Sequence, residues 1–178
     1  MSIDNLKSAL PDFAKDIKLN LGSLVTTSSL SEQQLWGTLL ACALATRSAR
    51  VIAEVSAEAA DILSAEAFRA ARGAAAIMAM NNVYYRSMHL IGDETYETMP
   101  AKLRMTIIGN PGVEKLDFEL WSLAVSAIGG CGRCLESHER VLRESGMSRE
   151  QIQEGIKIAA VVNAVATVLE SEAALAAV

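Results

Sequence analysis

The sequence predicts an all-α protein, and three observations carry that expectation. Half of the residues are hydrophobic, but only 4% are aromatic and alanine dominates the apolar set. Proline occurs only three times in 178 residues. Apolar side chains recur at spacings of three and four, and no stretch alternates in the manner of a strand bounded by turn residues. Alanine-rich, proline-poor chains of this kind favour closely packed helices. The length suits a single helical domain, 1–178, with ample chain to bury a core.

The elements follow from local signals. Leu6, Leu10, Phe13 and Ile17 form an amphipathic stripe between Ile3 and Leu21, and Pro11 breaks it or opens a new helix at its first turn. Ser28-Ser29-Leu30-Ser31-Glu32 is a polar start signal for a helix from about Glu32 to Thr46. Val51 to Asp61 is the next helix, and Ser64-Ala65-Glu66 opens another that runs to about Arg86. The alanine-rich middle of that helix, Ala70 to Met80, is expected to be buried almost all round. Between Arg86 and Pro111 the pattern weakens, which reads as a connector with one short helix. Helical periodicity resumes from Asp117 to Ile128, and Gly129-Gly130 ends it. A helix carrying Cys131 and Cys134 continues to about Ser145. Gly146 then closes it, and Ser148-Arg149-Glu150-Gln151 opens the last helix, to about Leu175.

Two similar halves, approximately 1–90 and 110–178, are expected from an internal echo. Leu35-Trp36-Gly37-Thr38-Leu39 resembles Leu120-Trp121-Ser122-Leu123-Ala124, and a Ser-x-Glu helix start follows in each. In this register Thr46 and Arg47 stand where Cys131 and Gly132 do, so only the second half carries the cysteine pair.

Composition narrows the function. A net charge of −5 with no basic cluster argues against a nucleic-acid partner. No uninterrupted apolar run reaches membrane-spanning length, and the first residues lack a basic start with an apolar core, so no membrane partner and a cytoplasmic location are expected. Three cysteines in such a compartment do not make a disulfide framework; a close CxxC pair there points to redox chemistry or metal binding.

The chemistry-bearing residues cluster in SAIGGCGRCLESH, Ser126 to His138. Two thiols three residues apart at a helix start close a disulfide with little backbone movement, and the amide dipoles there favour the thiolate. Arg133, between the thiols, adds positive charge that stabilises a thiolate. His138 lies one turn beyond Cys134, where its imidazole takes a thiol proton directly or through a water. Glu119 sits in the preceding helix, and a fold-back at Gly129-Gly130 brings its carboxylate to the imidazole. Three ligands on one straight helix chelate a metal poorly, haem attachment lacks its histidine after Cys134, and a thioredoxin-like fold lacks its strands. Cys42 reads as a buried small hydrophobe, His89 as structural, and Met78 and Met80 as core filler.

The motif Glu119-x11-Cys131-x2-Cys134-x3-His138 resembles that of the alkylhydroperoxidase D family, within the carboxymuconolactone decarboxylase-like superfamily. The resemblance extends to LKSALPDFAKDIKLNL, LWGTLLA, GAAAIMAMNNVYYR and FELWSLAVSAI, nearly the whole chain. It implies an all-helical protomer, a homotrimer, and thiol-dependent reduction of hydroperoxides. By this resemblance Cys134 matches the peroxide-attacking thiol and Cys131 the resolving thiol. His138 matches the activating residue and Glu119 its supporting carboxylate. No cofactor is then bound; the redox centre is the Cys131–Cys134 disulfide, re-reduced by a dihydrolipoamide-bearing protein that dihydrolipoamide dehydrogenase recharges. The sequence departs from the family at Arg133, where better-known relatives carry histidine; arginine stays charged and shuttles no proton near neutral pH. A thiol-exchange adaptor or redox sensor that does not turn over peroxide uses the same pair and remains the competing reading. A decarboxylase of the wider superfamily leaves the pair without a purpose.

Overall fold

The computed structural model describes residues 2–177, and among these no residue is in a strand. The chain opens with α1 (Ser2–Ala9), a 3-10 turn at Asp12–Ala14 capped by Pro11, and α2 (Lys15–Thr26). Pro11 thus breaks the amphipathic stripe as expected, since it cannot supply an interior amide. Glu54 and Glu58 of the fourth helix accept from Asn5 Nδ2 and the Ile3 amide, which lays α1 on that helix.

Three helices follow: α3 (Glu32–Thr46), α4 (Ala49–Ile62) and α5 (Ala65–Ile91). After the connector come α8 (Lys115–Gly129), α9 (Gly132–Glu144) and α10 (Arg149–Ala176). The two trios run in the same order of length, 15, 14 and 27 residues against 15, 13 and 28. Ser31, Ser48, Ser64 and Ser148 cap their helices through side-chain oxygens, and Ser31 and Ser148 complete capping boxes with Gln34 and Gln151. In each trio a left-handed residue separates the first two helices, Arg47 at φ 62° and Gly130 at φ 64°. Aligned on those residues, Ser48 rather than Thr46 stands opposite Cys131. Cap geometry, more than the shared Leu-Trp pair, sets where each second helix begins.

Helix α8 runs through the core and packs on α3, α5, α9 and α10. Phe118, Leu120, Trp121, Leu123 and Ala124 are all fully buried on it. Close approach of α3 depends on Gly37, where an added Cβ would lie 2.2 Å from the Trp121 ring. The expectation that Ala70 to Met80 is buried all round is overturned. Ala70, Ala71, Ala74, Ala75 and Met78 are buried, while Arg72, Ala76 and Ala79 are exposed. Helix α5 leans on α3 and α8 from one side, and small alanines on its other face are what composition alone could not distinguish from core.

The connector holds two short helices rather than one, α6 (Glu94–Thr98) and α7 (Thr106–Gly109), both packed on α5. Helix α5 itself runs a turn past Arg86, to the left-handed cap at Gly92. Helix α10 is long and apolar, with a mean hydropathy of 1.5 over its most apolar 18 residues, and one third of that window is buried against the rest of the chain.

Candidate active site

Ser126, Gly130 and Cys131 make the turn that builds the site. The Gly130 amide donates to Ala127 O and the Cys131 amide to Ser126 O, closing α8 with Gly130 in the left-handed conformation that glycine adopts without strain. Cys131 is then the N-cap of α9. Its sulfur accepts the Cys134 amide at 3.3 Å, the place a serine oxygen takes in the other caps. The helix therefore starts at Gly132, after the first thiol, and its first turn brings Cys134 back over Cys131. The two cysteines lie at disulfide distance, with Cα atoms 5.3 Å apart.

The reversal between α8 and α9 also brings Glu119 to His138. His138 Nδ1 and Glu119 Oε2 are 2.6 Å apart, and the residues are only 8% and 4% exposed. A carboxylate accepts only, so Nδ1 is the donor in this pair. Nε2 lies 3.3 Å from Met78 Sδ. Cys134 Sγ lies 4.0 Å from the main-chain carbonyl of Asn81.

These groups open on one cavity of about 340 Å³, lined by Met78, Asn81, Tyr85, Met105, Ile108, Glu119, Arg133, Cys134, Ser137, His138 and Val141. Cys134 is on its wall and Cys131, fully buried, is not. The volume is that of a small-molecule site, and the lining is apolar apart from a few converging polar groups. Arg133, an exposed residue of the first turn of α9, is also on this wall.

The structure thus brings Glu119, Arg133, Cys134 and His138 together, with Cys131 behind Cys134. It adds groups that sequence reasoning did not place. Met78, read as core filler, is buried but packs its sulfur on the imidazole. Met105 and Ile108 come from the connector, which walls the site rather than merely bridging two halves. The one sequence signal for the α5 wall was Asn81-Asn82, a polar pair interrupting an apolar helix. Met80 is half-buried and outside the cavity, and His89 is exposed at the end of α5. Cys42 is fully buried, as expected, and burial pushes its thiol far above the ordinary range. A larger cavity of about 560 Å³ lies on a different face of α5, among Arg47, Arg72 and Arg86. It is lined by no thiol or imidazole. Among the described residues no group of three or more His, Cys, Asp or Glu side chains is arranged to hold a metal ion.

Comparison with known proteins agrees with the geometry. Residues 94–177, which include every thiol and carboxylate of the site, match the carboxymuconolactone decarboxylase family. Over 176 residues the chain is 64% identical to the alkyl hydroperoxide reductase AhpD of Streptomyces griseus, with 99% of each chain covered. It is 60% identical to the AhpD of Hyphomonas neptunium and 59% identical to that of Mycolicibacterium paratuberculosis, in each case over 99% of this chain and 98% of the relative. Identity at that level across the full length, with the helical fold and the CxxC site, shows that the chain belongs to the alkyl hydroperoxide reductase AhpD family, within the carboxymuconolactone decarboxylase-like superfamily.

Proposed function

We propose that this protein is a thiol-dependent peroxidase that reduces organic hydroperoxides at Cys134. The observation that carries the reading is one of placement. Cys134 lines the cavity with the His138–Glu119 pair, while Cys131 is buried at disulfide distance behind it. In the reduced enzyme His138 Nε2 takes the Cys134 thiol proton, and Glu119 holds the ring in the tautomer that leaves Nε2 free. The thiolate attacks the terminal peroxide oxygen. An S–O bond forms, the O–O bond breaks, and the alkoxide takes the proton from His138, giving Cys134 sulfenic acid and an alcohol. Cys131 then attacks the Cys134 sulfur, water leaves, and the disulfide is formed. Arg133 supports the thiolate electrostatically and carries no proton.

Re-reduction follows the same asymmetry. A dithiol donor of the dihydrolipoamide type attacks Cys134, the sulfur facing the cavity, and Cys131 leaves as a thiolate that the Cys134 amide already contacts. The donor's second thiol resolves the mixed disulfide, leaving Cys134 reduced and the donor oxidised. In the cell the donor is a dihydrolipoamide-bearing protein, recharged by dihydrolipoamide dehydrogenase, and the enzyme requires no bound cofactor. We place it in the cytoplasm as a homotrimer. Helix α10, with only one third of its apolar window buried within one chain, meets other protomers rather than lipid.

The test is steady-state consumption of cumene hydroperoxide with dihydrolipoamide as the sole reductant. Turnover is expected from the parent and none from Cys134→Ser. Cys131→Ser is expected to give one burst equal to the enzyme concentration, with a dimedone adduct at Cys134. Thiol exchange without peroxide turnover would make the protein an adaptor, and a dimedone adduct at Cys131 in the C134S variant would reverse the two thiols.

A further inference from the structure

The cavity that holds Cys134 has a smaller neighbour, of about 220 Å³, that the chemistry described above does not use. Tyr85 and Arg133 line both spaces, so the two lie side by side at the boundary of α5 and α9. Only 4% of the chain is aromatic, yet all three of its tyrosines, Tyr84, Tyr85 and Tyr96, line this second cavity. Helix spacing sets one wall. Met88 follows Tyr84 and Tyr85 by four and three residues, which makes the three neighbours on the surface of α5. The Tyr84 and Tyr85 rings meet edge to face, with centroids 5.2 Å apart. The connector sets the other wall, with Tyr96 on α6, Met99 at its C-cap and Ala101 just beyond. Tyr96 and Met99 are 45% and 52% exposed, large side chains that lie outside the core. The same connector walls the active cavity through Met105 and Ile108. No carboxylate lines the second cavity, and Arg133 is the one charged residue on it.

We infer that this tyrosine-lined cavity is the subsite for the organic group of a bulky aryl hydroperoxide whose peroxide end lies at Cys134. The assignment rests on the peroxidase reading and deepens it by naming the substrate class. Glu119 and His138 gather with Cys134 in the active cavity, so the O–O end belongs there and the carbon substituent extends away from it. Beyond Tyr85 the walls are aromatic rings and thioethers, which suit an aryl ring through edge-to-face and sulfur–ring contacts. Size agrees. An apolar cavity of about 150 Å³ takes benzene, and this one is larger. Hydrogen peroxide has no organic group and reaches Cys134 without Tyr96 or Met99. The subsite therefore adds binding only for the bulky substrate, and it sets selectivity rather than the reactivity of the thiol.

The experiment uses Tyr96→Ala, a change at a half-exposed side chain that is not on the wall of the active cavity. Pre-reduced protein is mixed in stopped flow with cumene hydroperoxide and, separately, with hydrogen peroxide. The oxidised protein is then re-reduced with dihydrolipoamide. The second-order rate with cumene hydroperoxide is expected to fall about 10-fold, the scale on which an apolar pocket discriminates. The hydrogen peroxide rate and the re-reduction rate are expected to stay within about twofold. A Y96A variant that keeps the parent's ratio of cumene to hydrogen peroxide rates would overturn the assignment. So would an equal fall with both peroxides, since Tyr96 would then act on the thiol. A loss seen in re-reduction instead of in cumene oxidation would give the cavity to the dithiol donor. Should Y96A fail to fold, Ala101→Leu narrows the same cavity with Tyr96 in place and carries the same comparison. A parent inert to both peroxides sinks the peroxidase reading and the subsite with it, whereas a reactive parent with an unchanged ratio in the variant sinks only the subsite.

Discussion

Glu119→Gln separates orientation of the imidazole from its presence. In the parent, Nδ1 of His138 faces a carboxylate oxygen at 2.6 Å in a site from which water is nearly excluded. Glutamine fits the same space and presents one of two ends. With its carbonyl toward Nδ1 the tautomer is kept, and a charge-assisted bond becomes a neutral one. With its NH₂ toward Nδ1 the proton moves to Nε2 and the base is lost. The first case costs about 1 kcal/mol and the second about 3 kcal/mol, so oxidation of Cys134 is expected to slow by roughly 5- to 150-fold at neutral pH. His138→Phe removes the base altogether and is expected to slow it by about 100-fold or more, with partial recovery at high pH as hydroxide ionises the thiol unaided. Because Glu119 acts through His138, the double variant is expected to react no more slowly than H138F alone. The assay is stopped-flow oxidation of pre-reduced protein by cumene hydroperoxide from about pH 6 to 9, a range that begins just below the imidazole's ordinary value. Additive losses in the double variant, or parent-like rates in both single variants, would refute the relay and leave the helix terminus and Arg133 to activate the thiol.

Three further outcomes follow from the packing. Gly37→Ala places a methyl group 2.2 Å from the Trp121 ring in a fully buried contact, and it is expected to destabilise the fold by about 2–3 kcal/mol in urea unfolding; a parent-like midpoint would show that α3 and α8 can separate without cost. Glu154 accepts from Ser28 Oγ, the Ser29 amide and Ser29 Oγ. Burial raises its carboxyl, but those hydrogen bonds outweigh burial and hold it below the usual carboxylate range. The stability it contributes is therefore present above the unfolded carboxyl's value and lost as pH falls through the folded one. Glu154→Gln is expected to lower the melting temperature near neutral pH and to converge with the parent as both are acidified; a gap that persists unchanged into acid would mean that the charge is not the source. Finally, sedimentation at micromolar concentration is expected to give three times the 19.0 kDa chain mass, since Val83, Ile156 and Leu175 lie exposed on long helices. A 19.0 kDa species would leave those faces bare and remove the trimer.

Much of the protein was legible before any coordinates, and for one reason. Helix starts and stops are local events. Ser31, Ser64 and Ser148 cap the amides within the next turn, Gly130 and Gly146 take up left-handed conformations, and Pro11 lacks an amide, so each boundary is written within a few residues. The spacing of Cys131, Cys134 and His138 is local in the same sense, and the candidate site was proposed from it. Tertiary structure decided the rest. That Glu119 reaches His138 depends on α9 folding back on α8 after Gly130. That Met78, Asn81 and Tyr85 form a wall depends on which side of α5 meets α9, and an alanine-rich helix with small residues on several faces does not announce that side. Met105 and Ile108 joined them because α7 packs on α5, although nothing in the weak pattern around them marked a site. A helix cap is settled by atoms one turn apart. A cavity wall is settled by side chains some 40 to 60 residues apart, His138 to Met78 and Cys134 to Asn81 among them, and only the packed chain brings those together.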